Sequence, residues 1–354
     1  MGGTTSPERV PYAFHRDHAW RTPAVLDGQT GDERDRAMAD WLRRRGMDPA
    51  RLRPLGADAS TRRYFRIMGP DGPRVVMDAP AQAESCEAFV RVQRLMAGAG
   101  LHVPRIEAAD CGPGFMLLED LGDDGYLAGL AGPDRGRLLD DALHALVRWQ
   151  AATRADALPG FDADRLATEL ALFPAWYVER HLGVVPDAGW RRRWEAGSAA
   201  LIDAATAQPQ VWVHRDFMAR NLLVSEPNPG VIDFQDALLG PVTYDPASLL
   251  RDAFFSLDPA EEAGWIQRYL ERAGRAGVPL PEDPVRALDL MAAQRHLKVL
   301  GIFARLRHRD GKPHYIRDAP RFLAYLEREL RPYPAFHDLA DLVAALPSPS
   351  AAPA

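Results

Sequence analysis

His214-Arg215-Asp216-Phe217-Met218-Ala219-Arg220-Asn221 is the stretch that decides how this chain reads. It has the form HxDxxxxN, and its surroundings give the pattern meaning. Residues 211–213 ahead of it are apolar and strand-like, so they deliver the loop to a fixed place. Behind it, residues 222–224, a Ser225-Glu226-Pro227-Asn228-Pro229-Gly230 turn and residues 231–232 read as a hairpin, with Asp233 at its far end. A hairpin returns the chain to where it began. Asn221 and Asp233 are therefore expected side by side, although 12 positions separate them.

An amide oxygen beside a carboxylate suits Mg²⁺, a hard cation that prefers oxygen ligands and bridges substrate phosphates. Asp216, earlier on the loop, is placed to accept the proton of an incoming hydroxyl. The three residues thus point to transfer of the γ-phosphate of ATP, with Mg²⁺, onto an alcohol. The plainer reading has Asp216 capping a turn and Asp233 ending a strand, and it leaves their common register with the hairpin unexplained. His214 reads as a packed, hydrogen-bonded loop residue. Asp245, in Gly240-Pro241-Val242-Thr243-Tyr244-Asp245-Pro246, either bonds the loop or caps the next helix.

Upstream, residues 1–30 are polar and Pro/Gly-punctuated, without a period, and read as an extension. A helical period starts at Asp32, carries Met38, Trp41 and Leu42, and closes before Gly46. Strands follow over residues 51–55, 62–68, 74–77, 101–108 and 114–119, with a helix over about 83–98. The Gly56-Ala57-Asp58-Ala59-Ser60-Thr61 turn sits where a phosphate-covering loop belongs, so Ser60 and Thr61 are candidate phosphate contacts; a plain hairpin turn is the alternative. Glu119, Asp120 and Leu121 end the last of these strands at a lobe border, where an adenine ring would bond to backbone. Beyond it helical patterns dominate, until a Pro/Ala/Ser tail from Pro347. The expected organisation is an extension (1–30), a β-rich nucleotide-binding lobe (31–120), a helical lobe with the catalytic loop and substrate site (121–346) and a tail (347–354). This is an α+β chain with the outline of the two-lobed, protein-kinase-like fold.

The bulk numbers agree. A chain of 354 residues with 47% hydrophobic and 26% charged residues is ordinary globular material, large enough for two lobes. A formal net charge of -6 without a dense Lys/Arg run argues against nucleic acid as a partner. No apolar run approaches the roughly 18 residues of a membrane span, and no signal-peptide pattern opens the chain. The two cysteines, Cys86 and Cys111, have no zinc spacing and form no disulfide framework, which suggests a reducing, cytoplasmic setting.

The loop, together with Ile232-Asp233-Phe234-Gln235-Asp236, resembles the aminoglycoside phosphotransferase and choline-kinase superfamily. Further segments resemble, more closely, the bacterial N-acetylmuramate/N-acetylglucosamine anomeric kinases of cell-wall recycling. They are Ala57-Asp58-Ala59-Ser60, Arg63-Tyr64-Phe65-Arg66, Val76-Met77-Asp78-Ala79-Pro80, residues 231–240 and residues 294–306. The likeness runs in order over about residues 35–335. It implies an enzyme that phosphorylates the anomeric C1 hydroxyl of these two amino sugars. The product would feed a sugar-1-phosphate nucleotidyltransferase that makes UDP-N-acetylmuramic acid.

On that resemblance, Trp176 and Tyr177 are a candidate sugar platform or else helix core. Arg295 and His296 are candidates for a lactyl carboxylate, or else pack against the loop. Other kinases of the same fold, for aminoglycosides, choline or homoserine, are the nearest alternatives, with a nucleotide-binding pseudokinase behind them. Kinases of this fold usually carry a third-strand lysine for the α- and β-phosphates. Here the only lysines are Lys298 and Lys312, and Met77 stands near the expected place. Of the neighbouring Arg62, Arg63 and Arg66, Arg63 is expected to take over that role.

Overall fold

The computed structural model describes residues 28–56, 62–79 and 83–347. Most of the expected extension and tail, and the Ala57–Thr61 part of the turn after Gly56, lie outside the described residues. The chain divides at Leu52/Arg53 into two units, later than the composition change near residue 30; the strand-rich and helical stretches that meet near residue 120 share the second unit.

The first unit holds α1 (Gly28–Arg43) and a short 3-10 turn at Pro49–Arg51. Met38, Trp41 and Leu42 are buried, at spacings of three and one that share a helix face. Asp48 caps the 3-10 turn by accepting the N–H of Ala50 at 3.1 Å.

The second unit opens with a five-stranded antiparallel sheet in the order β1-β2-β3-β5-β4. Its strands are β1 (Arg53–Leu55), β2 (Arg63–Gly69), β3 (Gly72–Asp78), β4 (Ile106–Asp110) and β5 (Phe115–Glu119). β2 and β3 form a hairpin whose closing pair is Gly69 and Gly72, and Gly72 has φ 121°, which a side chain would resist. Their register runs without a bulge from there to Arg63 opposite Asp78. Alternation along a strand then places Tyr64 and Met77 on one face and Arg63 and Asp78 on the other. Met77 packs in a core with Cys86, Phe89, Val92 and Met96 of α2 (Ala83–Gly98). Val90 and Leu95 of the same helix are only half-buried.

The cysteines depart from expectation. Cys86 of α2 and Cys111, in the turn after β4, form a disulfide with their Cα atoms 5.4 Å apart. Their separation of 25 residues carries no pairing signal in a chain with two cysteines; the packing of α2 on the sheet brings them together.

The helical part consists of α3 (Tyr126–Gly129), α4 (Arg135–Ala151), α5 (Ala163–Leu170), α6 (Ala188–Thr206), α7 (Tyr244–Leu250), α8 (Pro259–Arg275), α9 (Pro284–His308), α10 (Ala319–Leu330) and α11 (His337–Ala344). A π-helix covers Phe173–His181. α9 is the axis: nearly every residue from Leu288 to Ala304 is buried, polar ones included. Gly301 lets the chain before the π-helix approach, since a Cβ there would stand 2.5 Å from the backbone of Leu172.

One buried cation ties several helices. Arg251 bonds Glu262 of α8 at 2.8 Å, Asp289 of α9 at 2.6 Å and Glu329 of α10 at 3.2 Å. His296 joins this network through Glu329 at 2.9 Å. Between α6 and α7 the chain forms two pairs of short strands. β6 (Gln210–Val213) pairs with β9 (Leu238–Pro241), and β7 (Leu222–Leu223) with β8 (Gly230–Val231), all antiparallel. They carry the site. Among the described residues, no helix is long and apolar enough to cross a membrane.

Candidate active site

Two buried carboxylates fix the loop that follows β6. Asp245, in the first turn of α7, accepts the N–H of His214 at 2.6 Å and of Arg215 at 3.0 Å. Asp252, just past the end of α7, accepts the N–H of Ala219 at 2.8 Å and of Phe254 at 2.6 Å. Burial pushes Asp245 up to about 7 and Asp252 up to about 6, against the pull of those backbone donors. Arg215 sits at φ 76° and Asp233 at φ 62°, left-handed values that side chains seldom adopt and that cluster at functional sites.

His214 links the two halves of the site. Its Nδ1 accepts the N–H of Asp216 at 3.3 Å and its Nε2 lies 3.1 Å from the carbonyl of Ile232. The acceptor role of Nδ1 assigns the proton to Nε2, the neutral tautomer. Burial agrees, lowering the imidazole's pKa despite the pull of Asp216 and Asp233. His214 is therefore a spacer that sets Asp216 against the residue before Asp233.

The hairpin closes as its sequence suggests. Leu222 pairs with Val231, and the N–H of Ile232 donates to the carbonyl of Asn221 at 3.1 Å. The Asn221 side chain donates its Nδ2 to the Asp216 carbonyl at 2.9 Å, which leaves the amide oxygen as its other polar atom. Asp216, Asn221 and Asp233 line one cavity of about 580 Å³.

Charge in this cavity is balanced by hand-fitted pairs. Arg295 reaches Asp216 Oδ1 at 3.4 Å, the Arg215 carbonyl at 2.6 Å and the Tyr244 hydroxyl at 3.2 Å. Glu169 takes Arg215 at 2.5 Å and Lys298 at 2.8 Å. Burial raises the pKa of Asp216, but Arg295, Lys298 and Arg215 together outweigh it and hold the carboxyl below its ordinary range. It is ionised at neutral pH and able to accept a hydrogen bond from an alcohol.

Of the other candidates, Arg295 lines the cavity and His296 does not; adjacent residues on a helix point about 100° apart, and His296 is turned into the Arg251 network. Tyr177 is fully buried, stacked at 5.5 Å on Phe173 in the helical core, and Trp176 packs partly against the same core. Neither lines the cavity. Ser60 and Thr61 lie outside the described residues. Glu119 gives its N–H to the Arg105 carbonyl at 2.9 Å, Asp120 is ion-paired with Arg66, and Leu121 packs near Gly230; none lines the cavity.

Arg63 is also elsewhere. It bonds the buried Asp78 at 2.8 and 2.5 Å, on the sheet face away from Met77. Arg62 and Tyr64 line the cavity instead. Burial pushes the Tyr64 phenol up to about 12, with Arg62 opposing and Asp233 adding to the shift. Counting back from the Gly69–Gly72 pair would have fixed this parity. Also missed were Asp252, Glu169, Arg220 and Lys298. The last is recoverable from helical spacing, because Arg295, Lys298, Val299, Ile302 and Leu306 form one stripe of α9 along the cavity.

Residues 51–281 match the phosphotransferase enzyme family. The chain belongs to that family. This phosphotransferase is 51% identical over 302 residues to the N-acetylmuramate/N-acetylglucosamine kinase of Pseudomonas aeruginosa, covering 84% of this chain and 89% of the relative. The protein of that name from Neisseria meningitidis is 43% identical, with 82% and 88% covered. Among solved structures, the phosphotransferase is similar in fold to choline kinase LicA from Streptococcus pneumoniae, with TM-score 0.57, 12% identity and 85% and 100% of the two chains covered. The ADP-bound aminoglycoside phosphotransferase APH(2'')-Ib gives TM-score 0.56, 14% identity and coverage of 85% and 98%.

Replacing Asp245 or Asp252 by Asn puts an amide donor among backbone N–H groups. Each variant of the phosphotransferase should lose more than tenfold in turnover and about 1–3 kcal/mol of unfolding free energy. Phosphotransfer assays and urea denaturation check both; full turnover in either variant would mean that the loop holds itself.

Proposed function

We propose that this phosphotransferase moves the γ-phosphate of ATP to the anomeric C1 hydroxyl of N-acetylmuramic acid and N-acetylglucosamine. The observation that supports this best is the 43–51% identity, over more than four-fifths of the chain, to relatives named for those two sugars. In this reading the strands up to residue 120 hold the nucleotide and residues 121–346 hold the acceptor.

The donor set fits Mg²⁺. Asn221 offers an amide oxygen and Asp233 a carboxylate whose pKa burial raises, with Asp216 adding to the effect, a cost that a bound cation would offset. Two protein oxygens suit an ion that keeps its remaining positions for water and phosphate oxygens. When bound, Mg²⁺ would neutralise charge on the transferring phosphoryl group.

Asp216 acts on the acceptor. A carboxylate held below the ordinary range is a weak base toward a free alcohol, so its first task is to orient the hydroxyl toward phosphorus. As the oxygen–phosphorus bond forms the hydroxyl becomes strongly acidic, and its proton passes to Asp216 while ADP leaves. Arg295 and Lys298 keep Asp216 ionised until then. Arg62 takes the place of the missing third-strand lysine at the phosphates, since it shares the cavity-facing side of the sheet with Met77.

The cations Arg295 and Lys298 near Asp216 weigh against choline and other cationic acceptors. Convergence of Asp216, Asn221 and Asp233 on one cavity weighs against a pseudokinase. The proposed use of ATP favours a cytoplasmic setting; the Cys86–Cys111 disulfide removes the support that the cysteines were expected to give. The product, a sugar 1-phosphate, is the natural substrate of a nucleotidyltransferase in peptidoglycan recycling.

With N-acetylmuramic acid the product should be a 1-phosphate, labile in mild acid; phosphorus NMR showing an acid-stable 6-phosphate would overturn the assignment. Asp216→Asn should cut turnover by roughly 10²- to 10⁴-fold with Mg-ATP affinity kept within about threefold. Calorimetry and steady-state rates together test this, and a variant keeping a tenth of the wild-type rate would remove Asp216 from its role. Arg62→Met should raise the KM for ATP roughly tenfold or more, the loss of a charge-assisted bond, whereas Arg63→Met should mainly lower stability by taking the guanidinium from the buried Asp78. The reverse pattern would restore Arg63 to the phosphates.

A further inference from the structure

The Cys86–Cys111 disulfide ties α2 to the turn between β4 and β5. That turn is itself anchored. The Gly114 N–H donates to the Asp110 carbonyl at 2.9 Å, and the Gly114 carbonyl accepts the N–H of Ala79 at 2.9 Å. Cys86 lies in the first half of α2 and is fully buried. Three residues on, and so on the same side of the helix, is Phe89, whose ring centre stands 4.7 Å from that of Phe234. Phe234 is fully buried and directly follows Asp233, the carboxylate assigned above to Mg²⁺. The left-handed backbone of Asp233 persists only while its surroundings over-determine it, and the Phe89 ring is part of those surroundings.

The bond is open to a thiol from one side. Cys111 is half-buried and lines a groove of about 420 Å³ with Glu87, Val90, Arg91, Arg94 and Leu95 of α2. Arg91 and Arg94 are exposed, and cations beside a sulfur favour the thiolate, the species that attacks and leaves in thiol–disulfide exchange. Attack therefore falls on the Cys111 sulfur. The thiolate of a dithiol bonds to it, and Cys86 leaves as a thiolate and takes up a proton. The second thiol of the reductant then displaces Cys111, which is protonated in turn. The dithiol ends as a disulfide, and two electrons and two protons have passed to the cysteines. A disulfide reagent runs the exchange backwards.

We propose that Cys86–Cys111 is a redox-modification site that sets the affinity of the phosphotransferase for Mg-ATP, with thiols and disulfides of the cell as its reactants. The proposal rests on the reading under Proposed function in its use of ATP and Mg²⁺. A disulfide in a compartment that supplies ATP is met by reducing thiols, and bonds that form there usually sense redox state rather than brace a fold. Joined, the bond pins the start of α2 to the turn after β4, and Phe89 holds Phe234 so that Asp233 keeps its conformation. Parted, α2 loses its covalent tie and Phe89 has room to withdraw. Asp233 then loses part of the packing that aims its carboxylate into the cavity.

The test is calorimetric affinity for Mg-ATP, measured on the full chain without a sugar, after treatment with glutathione disulfide or with dithiothreitol. A thiol assay under denaturing conditions reports the state of the two cysteines. The expected result is no free thiol and tight binding in the first state. In the second, both thiols are free and the affinity is lower by roughly 5-fold or more, the usual size of a coupling between sites, and re-oxidation restores it. Cys111→Ser should bind as the reduced wild type does and ignore both reagents. Phe89→Leu should weaken binding in the oxidised state and shrink the difference between the two states. Circular dichroism should show the same helix content in both states; a reduced form that unfolds makes the bond a structural brace and overturns the proposal. So do thiols that glutathione disulfide does not join, and a Phe89→Leu variant that keeps the full redox response. Binding of Mg-ATP in neither state overturns the proposed function as well, whereas equal binding in both overturns the switch alone.

Discussion

The N–H groups of His214 and Arg215 end on one carboxylate, Asp245, and those of Ala219 and Phe254 on another, Asp252. A loop has no ladder of its own to satisfy its buried backbone, and each unpaired N–H would cost about 1–3 kcal/mol. α7 supplies the acceptors from its two ends, seven residues apart, and so sets the distance between the start and the middle of the loop. Left-handed Arg215 is tolerated within that clamp at a cost of about 1–3 kcal/mol. Everything chemical hangs from it: the neutral imidazole of His214 measures the gap to Ile232, and Asn221 is oriented by the carbonyl of Asp216.

Around this backbone the charges are placed in pairs. Asp216 is compensated by Arg295, and Glu169 by Arg215 and Lys298. A buried ion is expensive unless paired and hydrogen-bonded, so α9 can carry Arg295 and Lys298 through the core only because these partners await them. The same helix contributes Asp289 and His296 to the Arg251 network on another side. α9 thus joins the architecture of the helical part to the charge state of the site.

Local patterns were legible in the sequence, and orientations were not. The loop and hairpin carried Asp216, Asn221 and Asp233 to one cavity because their geometry is fixed within a few residues. Arg62 and Arg63 differ only in strand parity, and Arg295 and His296 only in helix azimuth, so composition and likeness select the neighbourhood but not the residue. Trp176 and Tyr177 form an aromatic cluster that serves a core as readily as a ligand, and here it packs inward. Asp252 looks like any helix-end acid until the loop is folded against it. The bond between Cys86 and Cys111 likewise depends on tertiary packing that no spacing encodes.

Gly301 lies on α9 between Lys298 and Leu306 but does not line the cavity. Its missing methyl lets the helix settle against the backbone of Leu172. Any bulk added there would wedge α9 away from Leu172 and push the far side of the helix, where Val299 stands about 160° round from Gly301, toward the cavity. The bore of the cavity is thus gauged from outside its wall, by a residue that does not line it.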